Sequence, residues 1–287
     1  MNDQLTQDPQ TILDRIQSQA TRYETPCGDG RMIWHMWDQS GGAAPVVVLF
    51  HGGAGSWRHW IHNIPALVPT YRVLVPDLPG LGESDFPPSE VPEEIAVIVS
   101  DGIDSIVGAD TRYDLVGFSF GSTMAVCVGA LRGAHLRSVT VIGCSGVTTS
   151  GTAVNLKKVR HLEGPERKET HRYNLNQLMI ADAARIDDLA LVMQDWNTVR
   201  SRLHTPPISR SGVVLRALEK VTAPINAIWG ELDAPANPRG VERAAVLREL
   251  KPEADIRLIP GGGHWIAYER PDIVNAYLLE MLARTRP

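Results

Sequence analysis

The feature that most constrains the fold is a repeated switch between short aliphatic runs and longer segments with apolar residues at helical spacing. Val46-Val47-Val48-Leu49-Phe50, Val73-Leu74-Val75, Asp114-Leu115-Val116 and Val139-Thr140-Val141-Ile142 are nearly unbroken in their apolar character, so they read as strands covered on both faces. Between them, apolar residues recur every three or four positions, first from Trp57 through Trp60, Ile61, Ile64 and Leu67 to Val68. The stretch from Val91 to Val107 does the same, with Ile95, Ile98 or Val99, Ile103 and Ile106. Strands alternating with helices predict an α/β protein with a mostly parallel central sheet and helices on both faces.

The alternation lapses over residues 148–212, where no strand-like run occurs and Arg, Lys, Glu, Asn and His predominate at helical spacing. It resumes with Ile225 to Trp229, Val241 to Leu250, Ile256 to Ile259, and a last helical pattern through Ile273, Val274, Tyr277, Leu278, Met281 and Leu282. The expected organisation is a core formed by 1–147 and 213–287, interrupted by a helical cap at 148–212. A chain of 287 residues is long enough for such a core plus a smaller lobe. Residues Pro9 to Ala20, with Ile12, Leu13 and Ile16 on one side, predict an additional helix packed on the core.

Charge and cysteine usage exclude several functional classes. With 28 basic against 33 acidic residues and the basic ones scattered, there is neither a footprint for nucleic acid nor a polybasic stripe for anionic lipid. The basic stretch from Lys157 to Arg172 is interrupted by Glu163, Glu166 and Glu169, as on a solvated helix face. No apolar run among the first thirty residues could serve a signal peptide, and Val46 to Phe50 is too short to span a bilayer. Cys27, Cys127 and Cys144 are odd in number and widely spaced, which suits reduced thiols in the cytoplasm. His59 and His62 have a ligand-like spacing, but no carboxylate or third histidine joins them, so neither a metal nor an organic cofactor is expected.

The chemistry concentrates where strands end. Gly117-Phe118-Ser119-Phe120-Gly121 lies between the run ending at Val116 and a helical stretch from Ser122 to Leu131, which puts Ser119 at a sharp strand-to-helix turn. Such a turn requires small residues two positions either side of its apex, and the helix that follows aims free N–H groups at any negative charge formed there. The plainer alternative is a serine that merely caps a buried helix. His51-Gly52-Gly53-Ala54-Gly55-Ser56 follows another strand. It lacks the Gly-Lys-Ser/Thr ending of a phosphate loop and the glycine spacing of a dinucleotide loop, so an oxyanion-binding loop fits it better. Asp233 and His264 each stand just beyond a later strand, the histidine in Gly261-Gly262-Gly263-His264-Trp265.

Ser119, Asp233 and His264, in that order and behind an upstream glycine-rich loop, closely resemble the α/β-hydrolase superfamily over nearly the whole chain. Pro76-Asp77-Leu78-Pro79-Gly80-Leu81-Gly82-Glu83-Ser84 resembles its D-x-x-G-x-G-x-S segment, and Glu269-Arg270-Pro271 its E-x-P helix start. The resemblance implies Ser119 as nucleophile, His264 as general base and then acid, and Asp233 as the residue orienting the imidazole, with Glu231 the nearby alternative. It also implies an oxyanion hole from the N–H groups of Gly53, or Ala54, and Phe120. A serine rather than an aspartate at the elbow excludes haloalkane and epoxide chemistry and leaves esters, lactones, thioesters, amides and carbon-carbon bonds beside ketones.

Within that superfamily the chain is similar to meta-cleavage product hydrolases in its His-Gly-Gly loop and its His264-Trp265 pair. It differs in having Phe118 before the nucleophile and Asp195, not an arginine, before Trp196, which leaves Arg200 and Arg202 as candidate substrate-carboxylate ligands. Ala54, Phe118, Trp196 and Trp265 are the expected pocket residues, with Leu178, Met179 and Met193 as further candidates. The expected activity is a serine hydrolase that uses water on a small carbonyl substrate through an acyl-enzyme. The alternatives are a carbon-carbon hydrolase and a slow-turnover ligand receptor on the same fold.

Overall fold

The structure, a computed structural model, describes residues 7–148, 154–235 and 240–285. Positions 149–153 of the expected cap, and 1–6, 236–239 and 286–287 of the expected core, lie outside the described residues.

One eight-stranded sheet organises the molecule, in the order β1-β2-β4-β3-β5-β6-β7-β8. The six runs expected as strands are β3 (Val46–Phe50), β4 (Arg72–Pro76), β5 (Tyr113–Phe118), β6 (Leu136–Ile142), β7 (Ile225–Gly230) and β8 (Asp255–Ile259), all mutually parallel. The mostly parallel α/β expectation therefore holds. β1 (Thr21–Cys27) and β2 (Gly30–Trp37) form an antiparallel hairpin at one edge, which periodicity did not reveal. The outer strand β1 is exposed at its first four residues and carries Arg22 and Glu24, so it lacks an aliphatic run.

Side chains alternate across each strand and divide the core in two. Val46, Val48 and Phe50 of β3 point into one apolar cluster, packed by α3 (Pro92–Val107), α4 (Phe120–Arg132), α8 (Val213–Leu218) and Leu247 of α9 (Gly240–Leu250). Val47 and Leu49 point into the other, covered by α1 (Pro9–Gln17), α2 (Ile64–Leu67), α10 (Ile266–Glu269) and α11 (Pro271–Ala283). The expected N-terminal helix is α1: it buries Leu13 and Ile16, and the Trp37 indole donates to the Ile16 carbonyl at 2.7 Å. The single helix expected from Trp57 to Val68 is instead a 3-10 turn at Trp57–Trp60 followed by α2. Pro65 explains the break, since a proline is tolerated in the first turn of a helix but not in its interior.

Between β6 and β7 lie α5 (Gly164–Leu178), α6 (Asp188–Val199), α7 (Thr205–Ser209) and then α8, with no strand among the described residues. Leu175, Leu189 and Met193 of this connection join the apolar cluster that α1 and α11 cover. After β3 the chain moves to β4 on one side, and after β5 to β6 on the other. This reversal opens a crevice at the carboxyl ends of β3 and β5, where α/β sheets place their ligands.

Candidate active site

Backbone crowding sets the Ser119 turn. A methyl group at Gly117 would lie 2.2 Å from the Gly121 carbonyl oxygen, and one at Gly121 would lie 2.1 Å from that of Phe50. Only glycine lets α4 approach β3 and β5 this closely, so the G-x-S-x-G spacing is a steric requirement. Ser119 itself has φ 52° and ψ −114°, and its N–H donates to the Ile142 carbonyl at 2.8 Å. Its side chain makes no capping bond to α4, which removes the reading of a simple helix cap. Ser119 and Ala54 are the non-glycine residues with positive φ among those described, and both line the same cavity. Strain of this kind, on the order of 1–3 kcal/mol per residue, persists where the surroundings enforce it.

His264 lies between the other two residues. Its Nε2 is 2.9 Å from Ser119 Oγ and its Nδ1 is 2.9 Å from Asp233 Oδ2. Asp233 is wholly buried, and His264 is only 3% exposed. The structure thus brings Ser119, His264 and Asp233 into one hydrogen-bonded chain. Glu231 stays apart, exposed and accepting the Gly261 N–H at 3.0 Å.

Two histidines brace the glycine-rich loop. His51 Nε2 accepts the Leu78 N–H at 2.9 Å, so its Nδ1 carries the proton and donates to the Gly52 carbonyl at 2.7 Å. His59 Nδ1 accepts the Gly52 N–H at 3.2 Å. Burial pushes both pKa values down, His59 well below the ordinary histidine range, and keeps its ring an acceptor. His59 is therefore a loop brace and His62 packs at a tilt against Tyr268, an arrangement their spacing did not disclose.

The two remaining motifs tie the loops together. Asp77 accepts the N–H groups of Trp57 at 2.8 Å and Glu83 at 2.9 Å, and a methyl at Gly82 would meet its Oδ2 at 2.2 Å. Glu269 is fully buried and accepts three backbone N–H groups: Gly263 at 2.7 Å, Asp182 at 2.9 Å and Ala181 at 3.3 Å. One carboxylate thereby fastens the histidine loop to the segment between α5 and α6. Trp265 adds to this link, its N–H donating to the Met179 carbonyl at 2.6 Å.

The cavity in front of Ser119 has a volume of about 340 Å³. Gly53, Ala54, Phe118 and Phe120 line it, as do Leu178 and Met179. Other expectations require correction. Trp265 is fully buried against His59 and Tyr268, because its indole N–H seeks the His59 carbonyl, 3.1 Å away. Trp196 faces a separate cavity, its ring carrying the guanidiniums of Arg58 at 3.6 Å and Arg200 at 4.1 Å from the centroid. Arg202 turns to the carbonyls of Gly82 and Ser84, and Met193 is sealed in the core. Asp195, next to Trp196, joins α5 to α6 through Arg167 and His171. The arginines that do line the cavity, Arg210 and Arg243, come from the end of α7 and from α9. Nothing in the sequence pattern near the serine marks them.

Among the described residues no cluster of three or more His, Cys, Asp or Glu could hold a metal, and no helix is long and apolar enough to cross a membrane.

The family model of the alpha/beta hydrolase family matches residues 47–277. The chain is 25% identical over 292 residues to a 2-hydroxy-6-oxononadienedioate/2-hydroxy-6-oxononatrienedioate hydrolase of Dechloromonas aromatica, covering 95% of this chain and 98% of that relative. It is 28% identical over 265 residues to a 2-hydroxy-6-oxo-6-phenylhexa-2,4-dienoate hydrolase of Burkholderia cepacia, covering 84% and 89%. Among solved structures, naproxen esterase from Bacillus subtilis matches with a TM-score of 0.73 at 15% identity, covering 95% of this chain and 96% of that one, a likeness of fold alone.

Proposed function

The chain belongs to the alpha/beta hydrolase family, and from that premise we propose that it is a serine hydrolase cleaving a small carboxylic ester, lactone or related carbonyl compound through an acyl-enzyme. The observation that carries this reading is the Asp233–His264–Ser119 chain, with both links at 2.9 Å, opening on a closely lined cavity. In the proposed cycle His264 Nε2 takes the Ser119 proton as Oγ attacks the carbonyl carbon, then donates it to the departing alkoxide. Water, deprotonated by the same nitrogen, releases the acid and restores the serine. Asp233 holds the tautomer with Nδ1 protonated and stabilises the imidazolium.

The oxyanion is assigned to the N–H groups of Phe120 and Gly53. Phe120 is the first residue of α4, so its N–H has no intrahelical acceptor and lies at the positive end of the helix. Loss of one such donor costs roughly 2.7–4 kcal/mol of transition-state stabilisation. Residues 148–212 are read as a lid that excludes water and shapes the acyl pocket. The buried, unpaired thiols of Cys27, Cys127 and Cys144 support placing the activity in a reducing compartment.

A second reading, hydrolysis of a carbon-carbon bond beside a ketone, is favoured by the similarity to the dienoate and dienedioate hydrolases. A fluorophosphonate probe tests the common mechanism. It should label the wild type and not Ser119→Ala, and Ser119→Ala should lose turnover by about four to six powers of ten. An unlabelled wild type with no turnover of p-nitrophenyl esters, a lactone or a dienol diketone would point to a ligand receptor, and the substrate hydrolysed fastest separates ester from carbon-carbon chemistry.

A further inference from the structure

We propose that Thr205, the first residue of α7, donates its hydroxyl hydrogen to the oxyanion, as a third member of the hole beside the N–H groups of Phe120 and Gly53. This rests on the serine-hydrolase reading and assigns a further catalytic residue to the same site. Gly53 is not among the glycines with positive φ, so backbone conformation does not call for a glycine there. Space does. A methyl at Gly53 would stand 2.3 Å from Thr205 Oγ1, and its next two neighbours, at 3.4 and 3.7 Å, are Cβ and Cγ2 of the same threonine. The hydroxyl of Thr205, not its methyl, is therefore turned to the residue whose N–H is assigned to the oxyanion.

That hydroxyl is available and held in position. Thr205 is 7% exposed and lines the cavity with Ser119, Phe120 and His264. Among the described residues no hydrogen bond occupies its Oγ1. A buried hydroxyl without a partner costs free energy that a substrate oxygen can recover. Both flanks of Thr205 are fastened to the core. Arg202 and Leu203 donate their N–H groups to the Gly80 carbonyl at 2.9 and 3.1 Å, and Thr123 of α4 donates its hydroxyl to Ser209 Oγ at 3.4 Å. Gly53 is steadied from the other side, because His51 and His59 hold the carbonyl and the N–H of Gly52. A donor set in place before negative charge forms needs no reorganisation during the reaction, which makes such a bond effective in catalysis. The hydrogen stays on Thr205 throughout, and its bond to the substrate oxygen strengthens as that oxygen becomes an anion. The segment read as a lid thereby supplies part of the catalytic site itself.

The test measures hydrolysis of p-nitrophenyl butyrate and ethyl butyrate by the full-length chain, together with rates of fluorophosphonate labelling. Thr205→Val keeps the shape and removes the donor. Its kcat should fall about 100-fold or more for both esters with KM little changed, and labelling should slow while the melting temperature holds. Thr205→Ser should recover most of the lost rate. Gly53→Ala, whose methyl meets Thr205 alone, should displace the hydroxyl and lose rate comparably, and adding Thr205→Ala to it should cost little more. If Thr205→Val fails to fold, Thr205→Ala carries the same test. A loss under about 3-fold on removing the hydroxyl, a serine variant no faster than the valine one, or additive losses in the double variant overturns the inference. So does a loss confined to the ethyl ester, which would assign the hydroxyl to the departing alkoxide. Each of these outcomes leaves the labelling and turnover of the wild type, and with them the hydrolase reading, intact. A wild type that is neither labelled nor active overturns that reading, and this inference with it.

Discussion

Helices α4 and α5 reach the same cavity and are held in opposite ways. Each of the first ten residues of α4, Phe120 to Gly129, is buried, whereas α5 has fifteen residues and buries only Thr170, His171 and Leu175. The core side is also tied by the ion pair between Arg137 and Asp114, at 2.8 Å with side chains 7% and 0% exposed. On α5 the Lys168–Asp188 pair, also 2.8 Å long, has side chains 51% and 64% exposed. The Ser119 turn is thus fixed by backbone packing that tolerates no added atom. The facing wall hangs on solvated side chains that can change without disturbing the sheet.

The sharpest way to break the contrast is at Gly121. The alanine methyl of Gly121→Ala would meet backbone, not a movable side chain, so the variant should lose about 3 kcal/mol or more of stability by urea unfolding. A loss under 1 kcal/mol would show that the turn can yield.

The rigid core carries a buried titratable group in His35, which is 1% exposed between Trp37 and Trp57, its ring nitrogens without partners among the described residues. Burial, with a smaller opposing effect from Asp77, pushes its pKa from 6.5 down to about 4. The unfolded chain therefore takes up the proton first as pH falls, so stability is complete above about 6.5 and is lost progressively towards 4. Between pH 7.5 and 5 this residue should cost on the order of 2 kcal/mol. His35→Phe should flatten the pH dependence by that amount in urea titrations, and an unchanged slope would assign it to other groups.

Glu269 spans the seam between the two regions. Glu269→Gln keeps the size but weakens three charge-assisted bonds, with an expected loss of about 1–2 kcal/mol. If Glu269 also positions His264, kcat should fall with KM little changed, and probe labelling should slow at temperatures where the variant is fully folded. A drop in melting temperature alone would make its role purely structural. Least affected should be Lys168→Ala, at no more than about 0.5 kcal/mol, since its ion pair is solvated. A loss above 1 kcal/mol would mean that α5 is bound more firmly than its exposure implies.

Much of this was legible before any coordinates. The parallel strands β3 to β7 announced themselves because a strand buried on both faces is largely aliphatic. β8 showed only a short Ile-Arg-Leu-Ile run and is mostly half-exposed, and the edge hairpin did not show because β1 is mostly wet. Ser119, His264 and Asp233 were legible because strand ends and glycine spacing mark the turns that present them. The pocket was legible where it adjoined those turns, at Gly53, Ala54, Phe118 and Phe120, and in the expected cap at Leu178 and Met179. Trp196 and Trp265 looked like pocket residues because aromatic residues near a site read alike, whether they face ligand or glue helices together.

The sequence by itself determined the mostly parallel layered sheet with its six parallel strands, and the need for glycine around Ser119, since these depend on local periodicity and on short-range backbone contacts. Tertiary structure alone decided which charges meet the cavity. Arg210 and Arg243 come from α7 and α9, while Arg200 and Arg202 turn elsewhere. A long side chain finds its partner through space, and neither its spacing along the chain nor its immediate neighbours encode that direction.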